Sequence, residues 1–338
     1  MRKPVEPIPV ELGARFRTAT ALEHGVPARR LRRRDLDSPF HGVHRNLALL
    51  NAPELRQSAP PGIVSQTHTS RDHAQEAVRV EHIERARSYL LIAATDAFFC
   101  GKTAAAILGL PVPLTCGDAL HVGRPAPARA PRVAGVRGTQ VRQGRAAIGV
   151  FRGFPVTSPA STWAMLGESL DVEELVVLGD AMASEVCARS RQGPPREPLA
   201  TLAELREAMS GRGRPGAPKL RQALALVRTG SSSPPETQLR LALLRAGLPE
   251  PELDVEVRDP SGRILGRSEL AYVRKRVAFE YESDHHRIEQ RQWNRDIGKY
   301  QDYAEAGWRV VRVTAHLLYR EQQELVRQAR VALTRPAV

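Results

Sequence analysis

Cysteine is scarce in this chain. Cys100, Cys116 and Cys187 stand far apart without CxxC spacing, which argues against a disulfide framework and against a cysteine-ligated zinc site. Long apolar runs are missing too: YLLIAATDAFFC is short and interrupted, so no bilayer span is expected. The opening MRKPVEPIPVELG carries charge but no apolar core, unlike a signal peptide. A cytoplasmic protein with no membrane partner is the expectation. Lysine is rare, and the triplet Gly101-Lys102-Thr103 lacks the glycine that precedes it by four intervening residues in a phosphate loop. Nucleotide binding there is not expected.

What is present is length and positive charge. At 338 residues the chain is long for a single core, so two or three domains are expected. A net charge of +13 suits a polyanionic partner. An Arg-rich, Ala-rich, Lys-poor composition also follows from a GC-rich genome, so total charge alone does not decide the point.

Taken in order, residues 1–50 read as helix, turn, Arg-dense helix and hairpin. Phe16–His24 is amphipathic, Gly25-Val26-Pro27 is a turn, and Ala28–Leu36 predicts a second helix bearing Arg29, Arg30, Arg32, Arg33 and Arg34. SPFHGVHR then reads as a strand turning at His41-Gly42. That layout is a winged helix-turn-helix, whose second helix enters the major groove. The competing reading is a basic helix on a solvated face. Arginines there can neutralise phosphates without choosing a sequence.

Residues 51–187 carry expected helices at Asp72–Tyr89, Thr103–Leu110 and Asp171–Ala183, with strands around ALHVGR and GFPVT. SPFHGV, TAAAILGLPVP, the HV strand and FPVTSPASTW together resemble the AbiEi family of antitoxin-like proteins over about residues 10–185. Ser161 stands where that family usually has Arg before Thr162. The resemblance implies a DNA-binding winged helix joined to a small α+β domain, and leaves room for a toxin partner. Residues 188–230, rich in Arg, Gly and Pro, read as a linker with short helices at Leu199–Met209 and Lys219–Val227.

From 231 the signal sharpens. Ser233-Pro234-Pro235-Glu236 opens a helix with a cap, early prolines and a glutamate three residues on. Strands follow at DVEVRD, RILGRSELAYV and VAFEYE, then a helix from Gln290, the strand WRVVRVT and a closing helix. The order α-β-β-β-α-β-α predicts an α/β sandwich with a mixed sheet. In Val277–Glu282 the period of two places Glu280 and Glu282 on one face, and RSELAYV presents Glu269. Converging carboxylates and a histidine can hold a hard divalent cation and move a proton. The bland alternative is a solvated edge strand followed by a polar turn.

SPPETQLRLALLRAGLPEPE, GRSELAY, VAFEYESDHH, WNRDIGKY and GWRVVRVT resemble the very-short-patch-repair (Vsr-like) branch of the PD-(D/E)XK nuclease superfamily, over about residues 231–335. The resemblance implies a restriction-endonuclease-like fold and Mg²⁺- or Mn²⁺-dependent DNA hydrolysis. It implies Glu269, Glu280, Glu282 and His286 as catalytic residues, with Glu269, Glu280 and Glu236 as metal ligands. Glu282 takes the place of the lysine, and Trp293 and Asp296 match the family's WxxD. Core packing is the favoured reading of Trp293, helix capping competes with ligation for Glu236, and Asp284 reads as a turn residue. His285 is the alternative to His286. Glu269 and Glu282 each replace a shorter Asp, and Ser283 replaces a glycine. Because Mg²⁺ demands near-octahedral geometry, two readings stand. One is a DNA endonuclease. The other is a catalytically degenerate nuclease fold serving as a DNA-binding regulator or antitoxin-like protein. RNA processing is a third and lesser reading.

Overall fold

The computed structural model describes residues 7–50, 70–184, 197–211, 213–231, 233–282 and 290–334, with the side chains of 70–73 and 290–297 outside the described set. The protein is a mixed α/β chain of two compact units. One comprises Met1–Gly62 and Gln75–Met165, the other Ile63–Ala74 and Leu166–Val338.

In the first unit, strand β1 (Arg15–Arg17) runs into helix α1 (Thr18–Glu23). Strands β2 (Leu36–Phe40) and β3 (Val43–Asn46) form the expected hairpin. Its turn needs Gly42, whose φ of 75° would strain a side chain. The antiparallel sheet has the order β1-β3-β2, with Leu12, Phe16, Ala21, Val26, Leu31 and Leu36 buried together.

The expected second helix at 28–36 does not form. A single 3₁₀ turn, Arg30–Arg32, takes its place, and Leu36 already begins β2. Five arginines among residues 29–34 would repel one another at helical i, i+3 and i+4 spacings. Arg30 instead folds onto Asp35, donating to both carboxylate oxygens at 3.0 and 2.6 Å. The recognition helix of a helix-turn-helix is therefore corrected to a tight basic turn beside a hairpin.

The rest of this unit holds α2 (Leu47–Leu50), α3 (Ser70–Leu90), β4 (Phe98–Phe99), α4 (Gly101–Ile107), β5 (Leu120–Pro125), β6 (Val136–Val141), β7 (Ile148–Phe151), β8 (Phe154–Thr157) and α5 (Pro159–Leu166). The strands order as β6-β5-β4-β8-β7. The pairs β5–β6 and β4–β8 are parallel, the others antiparallel. Helix α4 starts two residues before Thr103. That hydroxyl is engaged in the core, accepting from the His121 amide at 2.8 Å and bonding His82 Nε2 at 2.9 Å.

The second unit begins with α6 (Val172–Ala183), α7 (Leu202–Met209) and α8 (Ala217–Leu226). Capping boxes at Asp171/Glu174 and Thr201/Glu204 fix the first two starts. The last two helices occupy the stretch expected to be a linker, yet Leu205, Leu220 and Ala223 are fully buried. A Cβ on Gly216 would lie 2.0 Å from the Gly167 carbonyl oxygen, so only glycine allows that approach. This segment is thus packed into the unit, and the division between units falls after Met165.

Helix α9 (Pro234–Arg245) then precedes strands β9 (Glu252–Arg258), β10 (Ile264–Tyr272) and β11 (Val277–Glu282). Helix α10 (Gln290–Glu305), strand β12 (Arg309–Thr314), α11 (Ala315–Tyr319) and α12 (Gln322–Thr334) complete it. The mixed sheet orders as β12-β11-β10-β9, with β11 and β12 parallel. Leu270, Val277, Phe279 and Val313 bury one face with Leu239 and Leu243 of α9 and Leu325 and Ala329 of α12. Ala271 and Ala278 face the other way, into a cluster with Tyr303, Ala306 and Trp308. Burying Phe279 completely contributes about 2–3 kcal/mol.

Candidate functional site

The alternation along β11 sets the geometry. Phe279 belongs to one core and Ala278 to the other, so Glu280 and Glu282 share the face on which α10 packs. Register pairs Leu270 with Phe279 and Ala271 with Ala278, and Glu269 stands just past the Leu270–Phe279 pair. The Glu269 carboxylate accepts the Tyr281 amide at 2.8 Å.

Three of the four predicted glutamates interact. Burial holds the Glu269 carboxyl well above the usual carboxylate range, and the nearby charges of Glu236 and Glu280 push it further. The Tyr281 amide and Lys299 oppose that rise without reversing it. Glu236, 3% exposed at the start of α9, also serves the cap: the Ser233 hydroxyl donates to its Oε1 at 2.9 Å and accepts from its amide at 3.4 Å. Capping and a place in the carboxylate group therefore coexist in one side chain.

Glu282 is held elsewhere. The Arg312 guanidinium grips both its oxygens, one at 2.6 Å, and Arg312 lies 5.5 Å over the Tyr300 ring. This carboxylate cannot stand in for a lysine, because it carries the opposite charge and an arginine already neutralises it. His285, His286, Ser283 and Asp284 lie outside the described residues, as do the side chains of Trp293 and Asp296.

The sequence reading missed Lys299. It lies on α10 rather than on the strand, and its Nζ donates to Glu280 Oε2 at 2.9 Å. The Tyr303 and Tyr300 rings lie 5.3 and 5.8 Å from that ammonium, within cation–π range. Tyr303 is fully buried, and burial together with Glu280 raises its phenol above the ordinary range. One signal was available: in a chain with only five lysines, Lys299 falls at i, i+4 spacing from Tyr303, on the helix following the acidic strand.

Oxygen ligands from clustered glutamates are the donor set that a hard divalent ion takes. The raised Glu269 carboxyl shows the electrostatic cost that such an ion would relieve. Among the described residues, no three His, Cys, Asp or Glu side chains are arranged as ligands of one ion. Lys299 supplies the positive charge on Glu280 instead.

In the first unit, Arg29, Arg32, Arg33 and Arg34 are exposed around the 3₁₀ turn. Arg30 is only 6% exposed and clamped to Asp35, so its expected DNA role is corrected to a structural one. Two polar groups deeper in the unit are unrelated to the predicted sites. His82 and His121 both have pKa values lowered to about 4, chiefly by burial.

A buried ion pair organises the second unit. Asp180 of α6 is 1% exposed and Arg240 of α9 is 0% exposed, and their side chains meet at 2.9 Å. Asp180 also accepts from the Thr237 hydroxyl at 2.9 Å and the Arg228 amide at 2.8 Å. Arg240 reaches Glu250 at 2.9 Å and the Leu226 carbonyl at 2.8 Å. The contact to Thr237 fixes the turn that carries Glu236.

No helix among the described residues is long and apolar enough to cross a membrane. No family model matches the chain. No solved structure matches it either. Two proteins of Mycobacterium tuberculosis, uncharacterized protein MT2308 of strain CDC 1551 and uncharacterized protein Rv2248 of strain H37Rv, are each 29% identical over 250 residues, covering 71% of this chain and 84% of the relative. That length exceeds either compact unit, so the similarity runs through both.

Proposed function

We propose that the second unit is a metal-dependent DNA endonuclease and that the basic turn of the first unit holds the duplex phosphates. The observation that carries this reading is the Glu280–Lys299 pair next to Glu269, whose buried carboxyl also feels the charges of Glu236 and Glu280. The resemblance assigns the ion to Glu236, Glu269 and Glu280, which are not arranged as three ligands of one ion among the described residues; a bound ion would lower the pKa of a water and neutralise charge on the phosphate. Lys299, kept beside Glu280 and flanked by two aromatic rings, brings a fixed positive charge to the same face, where a phosphodiester's developing charge needs it. The Tyr281 amide orients Glu269. Arg312 keeps Glu282 out of the group. Arg29, Arg32, Arg33 and Arg34 supply phosphate contacts that position the duplex without reading bases. The resemblance to Vsr-like domains leads to the same reaction class.

A second reading is a DNA-binding regulator whose nuclease fold has lost catalysis. Two observations favour it: the bidentate hold of Arg312 on Glu282, and the lack of a ready three-ligand arrangement among the described residues. Nicking of supercoiled plasmid with Mg²⁺, by wild type and by Glu280→Ala, separates the two. Cleavage that needs Mg²⁺ and vanishes in the variant supports the endonuclease. Equal DNA binding by both proteins with no cleavage by either supports the regulator.

A further inference from the structure

Strand β7 ends the five-stranded sheet of the first unit, paired with β8 on one side and with no strand among the described residues on the other. Its sequence, Ile-Gly-Val-Phe, is short but carries no charge, no proline and no bulge, the other usual protections of an edge. Ile148 is 48% exposed and Val150 76% exposed, and both lie on the same face of the strand. Between them Gly149 opens onto empty space, with nothing within 4 Å of where a Cβ would sit.

The hydrogen-bonding direction follows from the register. The hairpin turns through Arg152 and Gly153, both at positive φ, so the flanking pair Phe151↔Phe154 is the hydrogen-bonded one. Such pairs recur every second residue, which makes Gly149↔Val156 the next. The Ser158 amide bonded to the Ala147 carbonyl at 2.8 Å continues the series. The amides and carbonyls of Ile148 and Val150 therefore point to the open edge.

Charge selects the occupant. Between Asp118 and Glu168 the sequence has seven arginines and not one carboxylate, and Arg129, Arg132, Arg137, Arg142 and Arg152 are exposed. Arg145 and Arg152 bracket β7. A second copy pairing antiparallel through Ile148 and Val150 would bring Arg145 of one chain next to Arg152 of the other at both ends, which disfavours self-association. We infer that β7 receives an extended segment of another protein, β-branched at alternate positions and acidic at its ends, as a sixth strand of this sheet. The backbone edge supplies affinity, Ile148 and Val150 supply an apolar contact, and the arginines select acidic flanks.

The test uses the full chain and a fluorescein-labelled peptide of alternating Val and Thr with two Glu at each end, read by anisotropy. The wild type is expected to bind it, more weakly as salt rises. Val150→Pro removes an outward amide and leaves the bonds to β8 in place; it is expected to weaken binding about tenfold or more at unchanged melting temperature. Val150→Glu, which keeps the amide but repels acidic flanks, is expected to weaken it as well and guards against misfolding of the proline variant. Failure of the wild type to bind, or equal binding by both variants, overturns the inference. So does a wild-type dimer in sedimentation that Val150→Pro dissolves, which would make a second copy the occupant. Displacement of the peptide by duplex DNA that binds Val150→Pro and wild type equally would assign the surface to nucleic acid and overturn it too.

Discussion

Lys299 of helix α10 donates to Glu280 of strand β11 at 2.9 Å, with the Tyr303 ring 5.3 Å from its ammonium. In the proposed endonuclease this cation, delivered from a helix to an acid on the neighbouring strand, would do the work of the strand lysine whose place Glu282 takes. Lys299→Met is expected to lower plasmid cleavage by about 100-fold or more while DNA binding, measured by anisotropy, stays near wild type. Loss of binding along with cleavage would instead make Lys299 a phosphate contact.

Glu269 gives a pH signature. Its carboxyl is raised in the folded protein by burial and by Glu236 and Glu280, so the native state holds a proton that the unfolded chain releases at an ordinary carboxylate pKa. The associated stability is fully present below the unfolded value and is lost as pH rises through the folded one. Urea unfolding of the second unit should therefore show falling stability above the ordinary carboxylate range, and Glu269→Gln should flatten that decline.

The histidines of the first unit act in the opposite direction. His82 and His121 are held at about 4 by burial, and the Lys102 amide donates to His121 Nδ1 at 3.3 Å, consistent with a neutral ring. Their contribution is present above about 6.5 and is lost as pH falls toward 4. For His82 alone, which is 3% exposed, that amounts to roughly 3 kcal/mol. Acid unfolding monitored between those limits, with His82→Gln as control, checks the sign.

Legibility differed between the units for a physical reason. The second unit carries its signals locally: Ser233 caps α9, β11 alternates, and Pro260-Ser261-Gly262 turns between β9 and β10. Helix α10 contributes a non-local term, because pairing Lys299 with Glu280 spans nineteen residues. The Arg-dense stretch reads as a helix because helical propensity favours Arg one residue at a time, while the repulsion between neighbours and the salt link to Asp35 that prevent it are collective. The stretch 188–230 read as a linker because its Gly and Pro content is that of a loop, although Gly216 is there to let two backbones meet.

The Asp180–Arg240 pair has no local sequence signal, since the two positions are sixty residues apart. Asp180→Ala leaves a buried guanidinium with too few acceptors, and should cost about 3–5 kcal/mol in chemical denaturation. Replacing both by Leu and Met should cost less than the single change. Additive losses would show that the two side chains do not act as a unit.

The basic turn separates binding from folding. Changing Arg32, Arg33 and Arg34 together to Ala should reduce the salt dependence of DNA affinity by up to about 3 in the log–log slope, at little cost in stability. Arg30→Ala should do the reverse, because Arg30 is clamped to Asp35.

Ion uptake by the carboxylate group is the most direct test of a metal-dependent second unit. Titration of the full chain with Mn²⁺, following the free-ion signal by electron paramagnetic resonance, should show saturable binding at neutral pH. That binding should be lost in the double variant Glu269→Gln, Glu280→Gln. A wild-type chain that takes up no more Mn²⁺ than the double variant would contradict the metal-dependent reading.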